Sequence, residues 1–135
     1  MSDVCKAVAT VTGAPPFPDH QTFLRSMGDG KPWYHAQYVK QKLQDHGFED
    51  IKAEIAPDSF IIDNAAAFVE LFSGMSGQFI SQCWSEDDCA RYGVEIKPAL
   101  MKYMTKKYPD GQAFDLTMVA IVASARKPLI SECVL

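Results

Sequence analysis

The segment from Phe114 to Pro128 constrains the fold of this chain more than any other feature. It carries no charged residue between Asp115 and Arg126, and apolar residues occupy both of the alternating faces that a β-strand presents. A strand that is apolar on both faces is normally covered on both faces. The segment therefore predicts a long, buried strand that ends at the basic pair Arg126-Lys127 and a proline.

Length and charge limit the class of protein. The chain has 135 residues, of which 47% are hydrophobic, and a formal net charge of −4. These values predict one soluble globular domain over residues 1–135. Acidic and basic residues are interspersed without a Lys/Arg run, so neither nucleic acid nor a membrane is an expected partner. No apolar stretch approaches the ~20 residues that span a bilayer.

The cysteines and the N-terminal residues predict a cytoplasmic protein. The spacing of Cys5, Cys83, Cys89 and Cys133 matches neither a redox pair nor a zinc site. The first residues contain no long apolar run of the kind that a signal peptide needs. We therefore expect reduced thiols in a cytosolic compartment.

Apolar periodicity and capping residues predict several helices and two strands, an α+β pattern. The expected helices cover about 19–28, 34–46, 63–82, a short stretch that begins at 85, and 95–108, while 4–12 forms a helix or a strand. The expected strands are 51–55, with 60–62 as an extension beyond a kink, and the final apolar segment. Gly74 and Gly77 weaken the long helix, which predicts close packing or a bend there.

Three titratable residues are candidates for acid–base chemistry. His35 follows two aromatic residues near a helix start, where a general base could lie in an aromatic pocket. Glu70 and Asp115 lie beside apolar residues, and burial in a cleft would suit either carboxyl for proton transfer. The alternatives are a histidine in a capping turn and two surface or capping carboxylates.

Other catalytic centres have little support in the sequence. The histidines at positions 20, 35 and 46 have no acidic residue at ligand spacing, so we expect no metal site. No serine lies in a Gly-x-Ser-x-Gly elbow, which argues against a hydrolase triad.

Four short motifs give the chain a resemblance to a known family. They are Pro15-Pro16-Phe17-Pro18, Trp33-Tyr34-His35, Gly47-Phe48-Glu49-Asp50-Ile51 and Ala125-Arg126-Lys127-Pro128. With the helical insertion between the last two, over about residues 14–128, they resemble the C-terminal half of class I S-adenosylmethionine-dependent small-molecule methyltransferases. The resemblance implies helices packed on a small antiparallel sheet, the C-terminal part of a Rossmann-like fold.

The same resemblance implies that the helical insertion covers the acceptor substrate. Its apolar stripe and the aromatic residues upstream are then candidates for binding an apolar metabolite. These candidates are Trp33, Tyr34, Tyr38, Phe68, Phe72, Met75, Phe79 and Trp84. In the alternative, the stripe is ordinary core and Trp84 lies beside a structural, buried Cys83.

The chain departs from the family in its glycines. Family members bind the cofactor with a glycine-rich loop after the first strand and an acidic residue at the end of the second. Here Gly28-Asp29-Gly30 and Gly74-Met75-Ser76-Gly77 follow no predicted strand. We therefore expect no cofactor, with S-adenosylmethionine bound only in the presence of a partner chain.

Absence of the cofactor half would expose a sheet edge and apolar faces, which invite pairing. We therefore expect a homo-oligomer, such as a dimer, or a complex with a methyltransferase-like partner.

These features predict a methyltransferase-like protein of a biosynthetic pathway that binds an apolar small molecule. If the protein is an enzyme, positioning and one acid–base residue would support a cofactor-independent isomerisation or cyclisation. The alternative is a non-catalytic partner subunit or pseudoenzyme of a full-length methyltransferase. A folded gene product without a selected role is the third interpretation.

Overall fold

The structure of this chain, a computed structural model, describes residues 1–129 and is of the α+β class, as predicted. The described residues form five helices and a two-stranded antiparallel sheet. The elements are α1 (Ser2–Val8), α2 (His20–Met27), α3 (Ala36–Asp45), β1 (Glu49–Ile62), α4 (Ala65–Cys83), α5 (Glu86–Lys107) and β2 (Phe114–Arg126). None of these helices is long and apolar enough to cross a membrane.

The described residues divide into two compact units. The first contains Met1–Gly30 and Ser59–Leu116, and therefore α1, α2, α4, α5 and one end of each strand. The second contains Lys31–Asp58 and 117–129, and therefore α3 and the rest of the two strands.

The core of the first unit lies among its helices. α5 packs against both α4 and α1, and it buries Leu100 and Met104 almost completely. From β1, Ile62 enters the same core, and Phe114 and Leu116 of β2 pack against it. The helices therefore cover this end of the sheet, as the resemblance implied.

Side-chain caps begin three of the helices at the predicted positions. The backbone N–H of Thr22 donates to Asp19 Oδ1 over 2.8 Å at the start of α2. Asn64 accepts from Ala67 at the start of α4, and Ser85 accepts from Asp88 at the start of α5. These bonds satisfy backbone donors that the first helical turn leaves without partners.

The Asp19 cap predicts a pH dependence of stability. The hydrogen bond from Thr22 holds the pKa of this carboxyl below its ordinary range in the folded protein. The stability that it contributes is therefore complete above the ordinary pKa and is lost as the pH falls through the folded value, below about pH 4.

We expect wild type to exceed Asp19→Asn in melting temperature at pH 7, because asparagine caps without a charge at the helix N-terminus. That difference should shrink in thermal melts between pH 5 and pH 3. A difference in melting temperature that does not change with pH would contradict the assignment of this pH dependence to the Asp19 cap.

The region after Ser85 differs from the prediction. A short helix and a helix over 95–108 were expected, but α5 is one helix with Pro98 in its interior. A proline there costs about 3 kcal/mol because it removes a backbone donor and crowds the preceding turn. Packing of α5 against two other helices, with Ile96, Leu100 and Met104 buried, offsets that cost.

The glycines of α4 do not mark close packing. A Cβ placed at Gly74 or Gly77 would meet no atom within 4 Å, so of the two predicted alternatives, close packing and a bend, close packing does not occur at these glycines. The close approach occurs at Gly93 of α5, where a Cβ would lie 3.3 Å from the side chain of Ile80.

The burial predicted for β2 is also wrong for most of its length. Met118, Val119 and Val122 are 58%, 66% and 53% exposed. The physical reason is that the described helices pack mainly on one another and only Phe114 and Leu116 of β2 contact their core, so most side chains on both faces of the rest of the strand meet solvent.

Candidate functional site

Two of the predicted acid–base residues lie on the surface of the first unit. Glu70 is exposed on α4, and Lys97 Nζ of α5 donates to its Oε1 over 2.6 Å. Asp115 is exposed on β2 and forms no ion pair with another described residue. The contact with Lys97 gives Glu70 a role in joining two helices, and a catalytic role for either carboxyl stays a prediction.

The third predicted residue, His35, lies in an aromatic cluster of the second unit. His35 is the exposed residue before α3, and the centroid of its ring is 4.5 Å from that of Tyr34. Trp33 and Tyr38 meet edge to face at 5.1 Å between centroids. These four residues, which the sequence singled out, therefore form two local ring pairs at the start of α3.

The aromatic residues of the predicted substrate stripe fill the core of the first unit. Phe68 and Phe72 stack on one another, and Phe79 packs edge to face against Phe23. The buried indole of Trp84 donates from Nε1 to the carbonyl oxygen of Pro16 over 3.0 Å. Of the stripe, Met75 is the residue with an exposed side chain.

Two motifs that carry the resemblance meet in the second unit. Arg126 Nε donates to Asp50 Oδ2 over 2.7 Å, and Arg126 Nη2 donates to Glu49 Oε2 over 2.8 Å. The end of β2 is thereby joined to the start of β1. This contact gives the guanidinium of one motif and the two carboxylates of the other a shared structural role in this chain.

The first unit contains a groove that no predicted site residue lines. Its volume is about 550 Å³, within the size range of small-molecule sites. Thr10, just beyond α1, and one face of α5 form its walls. The residues of α5 in the groove are Ala99, Lys102, Tyr103, Lys106 and Lys107.

The charge of this groove is positive. Asp3 accepts from Lys107 Nζ over 2.8 Å and from the Tyr103 hydroxyl over 3.3 Å. The hydrogen bond to Asp3 raises the pKa of Lys107. Lys102 and Lys106 form no ion pair with any residue of 1–129, so two cations remain for a ligand.

The sequence of α5 contains a signal for this groove. Positions 99, 102, 103 and 106 share one helical face, because residues three and four apart are neighbours on a helix. That face lies beside the buried stripe of Leu100 and Met104. This face combines apolar and aromatic side chains with lysines along its edge. Such an amphipathic face indicates a binding surface.

The described glycines do not supply a cofactor loop. Gly30 follows α2, Gly74 and Gly77 lie within α4, and Gly47 precedes β1. β1 is followed by Asp63 and the cap Asn64 of α4, with no glycine between strand and helix. These glycines do not fit the glycine-rich loop that cradles S-adenosylmethionine in class I methyltransferases.

The described part of the chain contains neither a metal site nor a disulfide bond. Residues 1–129 contain no group of three His, Cys, Asp or Glu side chains placed to hold a metal ion. Cys5, Cys83 and Cys89 are free thiols, and Cys133 lies outside the described residues.

Comparison with known proteins gives two relatives and no match to a protein-family model. The chain is 27% identical over 122 residues to an acetylaranotin bis-thiomethyltransferase of Aspergillus terreus. The aligned region covers 90% of this chain and 43% of that protein. It is 22% identical over 121 residues to the methyltransferase tpcH of Aspergillus fumigatus. Here the aligned region covers 90% of this chain and 42% of that protein. Nearly the whole chain is thus similar to part of two fungal methyltransferases, and it spans less than half the length of either.

Proposed function

We propose that this methyltransferase-like chain binds a small biosynthetic metabolite in the groove along α5. The observation that carries the proposal is a concave site of about 550 Å³ with two lysines that lack ion-pair partners among the described residues. The relatives support the class of ligand, since one of them is named for thiomethylation of the small molecule acetylaranotin.

The groove favours a metabolite with an apolar body and one acidic group. Ala99, the ring of Tyr103 and the methylene stems of the lysines supply apolar contacts. Lys102 and Lys106, one helical turn apart, present two ammonium groups to a single anion. This assignment adds an acidic group to the apolar metabolite that the sequence predicts.

Catalysis stays a narrower proposal within this function. A cofactor-independent isomerisation or cyclisation would need an acid–base residue beside the bound metabolite. The candidates from the sequence are His35, Glu70 and Asp115, but none of them lines the groove, so a catalytic role for them requires a metabolite bound elsewhere. Alanine at each position tests them. Unchanged turnover in all three variants would remove them as catalytic residues.

The binding site is tested with two probes of the same shape. 1-Naphthoate carries a carboxylate, and 1-naphthalenemethanol carries a neutral hydroxyl in its place. We expect the Lys102→Gln, Lys106→Gln double variant to bind naphthoate about 2- to 30-fold more weakly by calorimetry, because each exposed charge pair contributes roughly 0.2–1 kcal/mol. Binding of the alcohol should not change.

A matched control distinguishes a loss of binding at the groove from an effect of the overall charge. Lys31→Gln with Lys52→Gln removes the same two charges at positions that do not line the groove. This variant should bind naphthoate as wild type does. Equal weakening in both double variants, or no binding of naphthoate to wild type, would contradict the proposal.

A further inference from the structure

The two strands of the sheet have outer edges of different chemistry. β1 carries a proline and five charged residues, namely Glu49, Asp50, Lys52, Glu54, Pro57 and Asp58. Charges and proline are the means by which natural proteins prevent an edge strand from pairing. β2 has no charge from Leu116 to Ala125, which is the composition of an interior strand.

The interior-type strand nevertheless lies at an edge. Within residues 1–129, β1 is the only strand beside β2. Met118, Val119 and Val122 are each more than half exposed. A two-stranded ribbon with apolar residues in water is marginally stable. A further strand paired with the free edge of β2 would enlarge the sheet and stabilise it.

We propose that the further strand is β2 of a second copy of this chain, paired antiparallel about a two-fold axis. Antiparallel pairing of identical strands places the axis perpendicular to the sheet, so the same face of each copy points the same way. Side chains alternate between faces, and paired residues share a face. Residues of odd number must therefore oppose residues of odd number, which restricts the possible registers.

Charge complementarity selects one of these registers. With Ile121 opposite Ile121 of the other copy, Asp115 lies opposite Lys127 at both ends of the pair. Neither residue forms an ion pair with a described residue of its own chain. A shift of the pairing to Ala120 or to Val122 at the axis would place Asp115 opposite an uncharged residue and lose both ion pairs.

The sizes of the side chains agree with the same register. Val119 lies opposite Ala123, and Ala120 lies opposite Val122, so a large residue faces a small one on both sides of the axis. Cross-strand pairs of this kind stabilise a sheet when they fill the space between strands. The long uncharged stretch of β2 thus meets another uncharged stretch, and the charges meet at the ends.

Sedimentation equilibrium of the chain over a range of concentrations tests the proposal. We expect a particle of twice 15.0 kDa. Val119→Lys places a charge in the proposed interface and should yield monomer at concentrations where wild type is dimeric. Ile55→Lys is the matched control, because it adds the same charge at a similarly exposed apolar position on β1. It should leave the dimer intact.

A charge reversal tests the register. Asp115→Lys and Lys127→Asp should each raise the dissociation constant about tenfold, since each opposes like charges at both ends. The variant with both changes should return to the wild-type value. Circular dichroism confirms that each variant is folded, which is expected because both side chains are exposed.

Three results would overturn the proposal. The first is a monomer at every concentration. The second is a dimer that Val119→Lys leaves unchanged, which would place the interface elsewhere. The third is a double charge reversal that does not restore pairing, which would exclude this register. A stoichiometric complex with a different, methyltransferase-like chain in place of the dimer would support the partner-subunit alternative instead.

Discussion

Leu100→Ala is expected to lower the free energy of unfolding by about 2–5 kcal/mol. Leu100 has no exposed surface and lies on α5, the helix that packs against both α1 and α4. Removing its side chain loses apolar burial and leaves a cavity that the three helices cannot close without moving. Urea denaturation followed by circular dichroism measures the loss.

Val94→Ala on the same helix is the control for Leu100→Ala. Val94 is 76% exposed, so truncation removes little buried surface. Alanine also has a higher helix propensity than valine, and the change should be within about 0.5 kcal/mol of zero. A loss of similar size in both variants would show that α5 does not hold the core in the way described.

Gly13→Ala is expected to cost about 2–4 kcal/mol, from two separable causes. Gly13 has a φ of +84°, a conformation that residues with a Cβ rarely adopt. A Cβ at this position would also lie 2.8 Å from the hydroxyl oxygen of Tyr92 and 3.5 Å from the ring carbon that carries it. The hydroxyl therefore accounts for the steric conflict.

Two further variants separate these causes by thermal or urea unfolding. Gly30 has a φ of +74° with open space around it, so Gly30→Ala should show the backbone cost alone, about 1–2 kcal/mol. Tyr92→Phe removes the hydroxyl, and Gly13→Ala in that background should cost no more than Gly30→Ala. A cost at Gly13 that Tyr92→Phe does not reduce would contradict the steric explanation.

Local signals predicted the helix boundaries well, because caps act within a few residues. Asp19, Asn64 and Ser85 each accept the expected backbone hydrogen bond. Gly47, predicted to end α3, has a φ of +79°. In contrast, the continuity of α5 through Pro98 depends on its packing against α1 and α4, which a local pattern does not contain.

The candidate site was less predictable for the same reason. In the sequence, the stripe of Phe68, Phe72 and Phe79 is most often ordinary core but could also line a pocket, and the structure places these rings in the core of the first unit. At the groove, Lys107 pairs with Asp3 of α1 while Lys102 and Lys106 do not, and this contact joins residues far apart in sequence. The resemblance predicted a substrate site on α4, whereas the groove lies along α5.

The position of α1 also determines when the first unit can fold. Val4, Ala7 and Val8 of α1 are buried, yet their packing partner α5 begins at Glu86, after α2, α3, β1 and α4 have been synthesised. The hydrogen bond from Trp84 to Pro16 likewise joins residues 68 positions apart. Contacts of such high order slow folding, because a long loop must close before any of them forms. During translation the apolar face of α1 therefore stays uncovered until α5 has emerged from the ribosome. This exposed face makes the nascent chain a candidate for chaperone binding.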